Sequence, residues 1–538
     1  MRPARLPAFG TRWAAAIAVG GGLLGVLAFP RFGFWPAAFA SVAALSVAVD
    51  GRRARTAAWL GYLYGAAFFL PLLHWTGVYV GPVPWLILAL AEAGFLALLG
   101  ALLPTMSRLP LAPAWVGAAW VLQEALRDRL PFGGFPWGRL AFSQAGSPLR
   151  WFAALGGAPL VSFAVAVAGA GLALGVTALA VAGRAVTTRT RRLSAAGVAV
   201  LVAVPLLGAV LAGPLGPAPD SSGRQLRIAV IQGGLPNNGL KFEDRAEQVL
   251  DNHIRQTRKL AADVQDGRTP QPDLVLWPEN ASDVDPFANP AAGAKIDAAV
   301  RAVKAPVLVG AILQGPGANH RRNAGILWSP TTGPGATYLK RHPVPFAEYI
   351  PLRGIAEAVS SAAKTVTEDM VAGHGNGLLR GGPVPLGDVI CFEVAYDDLV
   401  RSSVEAGAQL LVVQTNNATF GHTAETYQQL AMSQLRAVES GRTVIQAATT
   451  GKSAVIGPDG GIRLESGPLY HSQILVARVP LRSGTTLATR VGAWPEYVLA
   501  ALAVAGAAAT ALRNRRGRTL PPTEDESGAP VPEEMVGA

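Results

Sequence analysis

A single cysteine, Cys391, is all the thiol this 538-residue chain carries. No intramolecular disulfide can form, so an oxidising compartment is neither required nor excluded. Charge is scarce as well: Asp, Glu, Lys and Arg make up 15% of the residues against 50% hydrophobic, far from the balance of soluble globular chains. The seven histidines include no HExxH and no paired spacing, which leaves a metal site without sequence support. No G-x-S-x-G offers a serine nucleophile. Thr450-Gly451-Lys452-Ser453 resembles the end of a phosphate-binding loop, but Gln446 stands where that loop needs glycine. A net charge of +11 could suggest nucleic acid, yet the arginines lie in short clusters beside apolar runs. That is a pattern of membrane topology, and no nucleic-acid partner is expected.

What is present in abundance is apolar sequence in lengths near the roughly 20 residues a helix needs to cross a hydrocarbon core. Seven spans are expected at residues 13–29, 34–49, 56–78, 85–106, 113–126, 151–182 and 195–213, and an eighth at 493–512. The first, behind Arg2, Arg5 and Arg12, could pass for a signal peptide, but more spans follow at once and a retained anchor is the simpler account. Arginines set the orientation. Arg52, Arg53 and Arg55, Arg108, the 184–192 cluster and the 513–518 cluster all fall on the side of the N-terminus. That side is expected to be the cytoplasm, with both termini in it and the chain multi-pass in the cell (cytoplasmic or inner) membrane. Arg127, Arg129, Arg139 and Arg150 depart from this, flanking the outer loop Pro131-Phe132-Gly133-Gly134-Phe135-Pro136-Trp137. They read either as interfacial anchors or as a lipid-headgroup or acyl-chain contact near a site.

The chain divides accordingly into a membrane domain at 1–213, an extracytoplasmic domain at 214–492, the eighth span at 493–512 and a tail at 513–538. The tail is basic and then acidic, and its acidic, proline-rich part from 519 on should be disordered. Within 214–492 short apolar runs at 226–232, 273–277, 305–312, 336–339, 387–390, 409–414 and 443–448 read as buried strands. Helices are expected at 243–264, 292–303, 396–406 and 424–440, so the domain should be a layered α/β structure. Three runs end in a reactive side chain: Asp273-Leu-Val-Leu-Trp-Pro-Glu279, Ala336-Thr-Tyr-Leu-Lys340 and Gly387-Asp-Val-Ile-Cys391. Functional groups gather at the carboxyl ends of strands in open α/β sheets. A carboxylate could take the thiol proton, and an ammonium with the amide of Phe392 could hold an oxyanion.

Trp277-Pro278-Glu279, the run from Tyr338 through Lys340, Phe346 and Glu348 to Pro351, and Val389-Ile390-Cys391-Phe392-Glu393 resemble the three catalytic blocks of the nitrilase superfamily. With seven spans before and one after, the arrangement resembles bacterial apolipoprotein N-acyltransferases more specifically. Gly134-Phe135-Pro136-Trp137, the stretch from Thr415 to Gly421 and Ala454-Val455-Ile456-Gly457-Pro458 match too. The resemblance implies an αββα sandwich with Glu279 as general base, Lys340 as oxyanion and orienting cation and Cys391 as nucleophile. Glu348, Glu393 and Phe392 would be supporting residues; Trp137, Phe346 and Asn416 would touch substrate. It also implies a phospholipid acyl donor, a thioester on Cys391, and transfer to the α-amino group of a diacylglyceryl cysteine on a lipoprotein, with no cofactor and no metal. Phe392 stands where many relatives have Tyr, and Asn417-Ala418-Thr419 where they have Asp-Ala-Trp, which puts an acyl contact at Thr419 in doubt. The segment 351–367, with Leu352, Ile355, Ala358 and Val359 at helical spacing, reads as an apolar arm near the membrane or as an amphipathic helix packed on the domain.

Two other classes compete. A membrane-tethered amidase would use the same residues and let water resolve the thioester, though eight spans are excessive for an anchor. A transporter or receptor predicts ionisable residues inside the spans, where the sequence offers His74 near an end, Glu92 and Glu124.

Overall fold

A computed structural model of the protein describes residues 10–78, 80–182, 187–216, 223–234, 246–418 and 420–516; Thr419 and the acidic tail lie outside them. Each expected span is a helix: α1 Thr11–Ala28, α2 Ala37–Val49, α3 Ala54–Leu72, α4 Pro82–Met106, α5 Ala112–Arg127, α6 Ala153–Ala182, α7 Thr188–Leu215 and, at the far end, Trp494–Arg516. Five are long and apolar enough to cross a membrane: α1, α4, the segment Pro148–Ala180 containing α6, α7 within Thr190–Leu215, and Trp494–Arg513. The other three fall short. α2 has 13 residues and α5 has 16, with Glu124 and Arg127 among them. α3, at 19 residues, is longer than α1 but less apolar, with Arg55 and Pro71 among its residues. It ends at Leu72, short of the expected 78, where a separate 3-10 turn, His74–Gly77, follows.

Small residues let these helices approach closely, as packing in lipid requires. A Cβ on Gly61 of α3 would come within 2.2 Å of the Leu96 carbonyl oxygen, and one on Gly100 of α4 within 2.4 Å of that of Ala57. α6 breaks at Gly156 and Gly157, the latter at φ 71°, a backbone state that glycine adopts without a Cβ penalty.

The remaining strands and helices build two facing sheets. The first runs β13-β1-β2-β3-β4-β5, with β6 on β4, from β1 Gln225–Gln232, β2 Leu274–Leu276, β3 Val307–Gln314, β4 His320–Ser329, β5 Gly333–Leu339, β6 Asp369–Met370 and β13 Gln473–Pro480. The second runs β12-β11-β10-β9-β8-β7, from β7 Leu378–Leu379, β8 Leu386–Ile390, β9 Leu410–Thr415, β10 Val444–Ala448, β11 Ala454–Ile456 and β12 Ile462–Glu465. β1, β2 and β3 are parallel, as are β8, β9 and β10. The helices are α8 Ala246–Gln265, α9 Pro290–Val303, α10 Arg353–Val359, α11 Asp397–Glu405, α12 Glu425–Ser440, α13 Leu487–Val491 and α14, the last span.

Strand alternation explains the layering, since successive side chains point to opposite faces. Ala229, Ile231, Val275, Val307 and Val309 pack with Leu250 and Ile254 of α8 and Ile296 and Val300 of α9. Their neighbours Ile228, Val230, Leu274, Leu276 and Leu308 face inward, into a core shared with the second sheet. That inner core does not stop there: it continues through Leu430 and Leu435 of α12 into Trp137, Phe142, Val161 and the membrane helices. The result is an αββα sandwich whose second outer layer, α12, rests on α6.

Buried charges fasten the junction. Arg127 and Arg139 are not interfacial anchors: their side chains are 1% and 2% exposed. Arg127 pairs with Glu92 at 3.2 Å and donates to the carbonyls of Phe135 and Trp137. Arg139 pairs with Asp128 at 3.3 Å, lies 3.7 Å from Glu124 and reaches across to Asp397 of α11 at 2.9 Å. Asp397 also pairs with Arg436 of α12 at 2.7 Å. Burial alone would raise Asp397, but the two guanidinium groups outweigh it and hold the acid well below the usual carboxylate range. Glu92 and Glu124, the ionisable residues expected of a transport path, are therefore part of this joint. Arg139→Met should lower unfolding stability by about 3–5 kcal/mol, because it strands buried carboxylates rather than removing a balanced pair. Chemical unfolding in detergent measures this, and an unchanged midpoint would mean that the network contributes nothing.

Candidate active site

Glu279, Lys340 and Cys391 follow the ends of β2, β5 and β8, and the two facing sheets bring them together. Glu279 is 4% exposed and Lys340 2%. Lys340 Nζ donates to Glu279 Oε1 at 3.1 Å and to Glu348 Oε1 at 2.8 Å. The rest of the Glu279 carboxylate is occupied too: Asn323 Nδ2 donates to Oε1 at 2.7 Å and the Asn416 N–H to Oε2 at 2.8 Å. Glu348 is fixed in turn by the Val344 N–H at 2.7 Å. Burial would lower Lys340, yet the charges of Glu279 and Glu348 more than offset this, so it stays an ammonium.

Cys391 sits at φ 54°, a left-handed conformation that costs an ordinary residue about 1–2 kcal/mol. It opens a 3-10 turn, Cys391–Ala395, in which the first N–H groups have no intrahelical partner. The Phe392 amide is one of them. Glu393 holds the turn in place. Its carboxylate accepts from the N–H groups of Ile390 at 2.8 Å, Arg341 at 2.6 Å and His342 at 3.0 Å, and from Tyr338 OH at 2.9 Å, tying the thiol to the residue after Lys340. The thiol is pushed up, first by burial and then by the Glu279 charge, while Lys340 and Thr415 pull it down. It needs a base to ionise.

Three polar residues that sequence reasoning missed complete the cluster. Asn323 lies on β4, whose arginine-rich start hid the strand. Thr415 Oγ1 is 3.5 Å from Cys391 Sγ and Gln429 Nε2 of α12 is 3.6 Å from it, both placed to donate to sulfur. Thr415 Oγ1 also lies 2.9 Å from Gln429 Oε1.

Aromatic rings back the thiol turn. Phe392 stacks on Trp137 with ring centroids 5.8 Å apart and on Phe135 at 5.6 Å. Trp137 is buried and reaches the thiol loop through Phe392; its indole N–H donates to Gln428 Oε1 at 2.7 Å. Trp75 donates to the same oxygen at 3.2 Å. Asn416 bonds Glu279 through its backbone, and its side-chain oxygen accepts from Thr449 at 2.9 Å. Phe346 is 52% exposed and meets Phe132 of the outer loop edge-on at 6.0 Å. α10 leaves Leu352, Ile355 and Val359 exposed, so its apolar side is not packed on the sandwich. Lys452, in the phosphate-loop look-alike, is engaged by Glu465 and the carbonyls of Ser466 and Gly467.

Residues 21–171 match the apolipoprotein N-acyltransferase N-terminal domain, and residues 227–488 match the carbon-nitrogen hydrolases. The chain is 41% identical over 505 residues to the apolipoprotein N-acyltransferase of Mycolicibacterium smegmatis, which covers 91% of this chain and 83% of that protein. The protein of the same name from Azotobacter vinelandii is 30% identical over 536 residues, 94% of this chain and 96% of its own. An amidase of the nitrilase superfamily from Nesterenkonia AN1 aligns with 47% of this chain and 90% of its own, at 22% identity and a TM-score of 0.35. Apolar helices and a thiol-bearing sandwich, each matched separately and then together along one relative, lead to one assignment: the chain belongs to the apolipoprotein N-acyltransferase family.

Proposed function

We propose that the protein carries a fatty acyl chain from a phospholipid to the N-terminus of a lipoprotein on the sulfur of Cys391. The observation that supports this best is the buried grouping of Glu279, Lys340 and Cys391 in a sandwich whose core is continuous with membrane helices. In the first step Glu279 takes the thiol proton as Sγ attacks the donor's ester carbonyl. Lys340 and the Phe392 amide hold the oxyanion. The ester C–O bond breaks, the proton passes from Glu279 to the departing glycerol oxygen, and a thioester and a lysophospholipid remain. In the second step the α-amino group of a diacylglyceryl-modified cysteine attacks the thioester. The C–S bond breaks, the amine's proton passes by way of Glu279 to the thiolate, and an amide is released. A covalent carrier lets the first product leave before the second substrate arrives.

Thr415 and Gln429 supply the hydrogen bonds that a buried thiolate lacks from water. Glu348 and Glu393 position Lys340 and the thiol turn. Phe346 and the apolar side of α10 meet lipid chains, Asn416 lines the site beside Glu279, and Trp137 acts through Phe392. The arginine clusters favour a catalytic domain outside the cytoplasmic membrane with both termini inside.

The test uses the whole protein in detergent with a phospholipid whose acyl chain bears a tag. A hydroxylamine-sensitive label should appear on Cys391, and adding a diacylglyceryl peptide should move it to the peptide nitrogen. Release of the label to water, with no N-acyl peptide formed, would make the protein a hydrolase instead.

A further inference from the structure

Glu425, on the first turn of α12, is an acid without an assigned task. It is 7% exposed, and among the described residues no hydrogen bond or ion pair reaches its carboxylate. The helix start does not account for it: Thr423 Oγ1 accepts from the Glu425 N–H, while the side chain is left over. Asp388 is likewise buried without a partner, but both its carboxyl oxygens are sealed from water and those of Glu425 are not. Burial raises Glu425 well above the usual carboxylate range, with no neighbouring charge to oppose it.

Its place on the helix gives the unused acid a context. Side chains four apart on a helix have Cβ atoms about 5–6 Å apart, so Glu425 is the next residue along the face from Gln429, whose amide touches Cys391 Sγ. Gln428, three residues on, faces Trp75, Trp137 and the Leu72 carbonyl of the membrane helices. Glu425 thus lies one helical turn before the two glutamines that reach the sulfur and the outer ends of those helices. A desolvated acid in such a place is satisfied by a ligand that brings positive charge and N–H donors.

We propose that Glu425 is a subsite for a primary ammonium group. The inference rests on the acyl-carrier reading above, in which two such groups can arrive: the α-amine of the lipoprotein acceptor and the headgroup of an ethanolamine phospholipid. The acceptor's case has a chemical use. Its α-ammonium must lose one proton before the nitrogen can attack, and a carboxylate in a poorly solvated site takes it, giving a neutral amine and a neutral acid that later releases the proton to solvent. This proton is distinct from the one Glu279 handles during attack.

The experiment loads Cys391 with a tagged acyl chain and divides its discharge between a diacylglyceryl peptide and hydroxylamine, which is neutral at pH 7. In Glu425→Gln the peptide-to-hydroxylamine ratio should fall by about tenfold or more, the loss of one charged contact. If the headgroup is the ligand, the variant instead loads more slowly from phosphatidylethanolamine than from phosphatidylglycerol, relative to the unsubstituted protein. Where the variant does not fold, the unsubstituted protein answers: an N,N-dimethylated diacylglyceryl peptide, cationic but unable to form a stable amide, should inhibit about tenfold better than its N-acetyl counterpart. Unchanged peptide discharge together with unchanged donor preference overturns the subsite alone. So does, where the variant does not fold, equal inhibition by the two peptides together with equal loading of the unsubstituted protein from phosphatidylethanolamine and phosphatidylglycerol. Failure of the unsubstituted protein to form a thioester overturns the acyl-carrier reading and the subsite with it.

Discussion

Cys391→Ser should leave no measurable acyl transfer, although the replacement differs by one atom. The site already works against ionisation: burial and the neighbouring Glu279 both push the native thiol up. Glu279 can still serve it, because a thiol starts within a few units of neutrality. A serine hydroxyl starts several units higher and gains nothing from the same surroundings. An ester formed there would also resist attack by an amine where a thioester yields. The expected loss exceeds about 10⁴-fold, beyond what one general base restores. The backbone strain at φ 54° is the same for Ser as for Cys, so folding should be unaffected. Single-turnover labelling with a tagged phospholipid, alongside a thermal melt, measures both. Turnover above one thousandth of the native rate, as an order of magnitude, would mean that another nucleophile carries the acyl group.

Glu279→Gln should cost about 10²–10⁴-fold in thioester formation, the usual range for a general base. The sign of its pH dependence is more informative than its size. Glu279's charge is among the causes that raise the thiol, so the amide variant should ionise Cys391 at lower pH than the native protein does. With the internal base gone, hydroxide must remove the proton, and the variant's rate should climb with pH while the native rate changes less. Asn323 and Lys340 lose a charged acceptor but keep an oxygen to bond, and the fold should survive. A deficit that is the same at every pH would place Glu279 in a structural role.

The triad was legible because each member ends a short apolar run, a signal contained in about five residues of sequence. Lys340 and Cys391 needed no knowledge of distant partners to be noticed. Thr415 and Gln429 did: Gln429 reaches the sulfur from 38 residues away, on a helix whose sequence looks polar and solvent-facing. The outer arginines were visible as an anomaly of position, but Asp397, which explains Arg139, lies 258 residues further on. Of the strands missed, β4 begins with charged residues and β6, β7, β11 and β12 are too short for alternation to show, whereas β13, with Ile474-Leu475-Val476 near its start, carried a readable apolar run. The third expected span was misjudged at its end because apolarity continues through Leu73 and Val78 after the helical hydrogen bonding has stopped. Its lesson is that hydropathy reports the solvent and not the backbone.

α12 carries a further implication. Fourteen of its sixteen residues are buried, although Arg436, Glu439 and three glutamines are among its polar residues. One side rests on the second sheet and the other on α6, so neither the sandwich nor the helical part owns this helix. Cutting the chain near 217 and 492 would remove α6, on which α12 rests, and the Phe142 ring that packs on Arg436. A water-soluble version of the enzyme is therefore unattainable by truncation, and heating should melt the helices and the sandwich as one cooperative unit. The bilayer, in that sense, is part of what folds the active site.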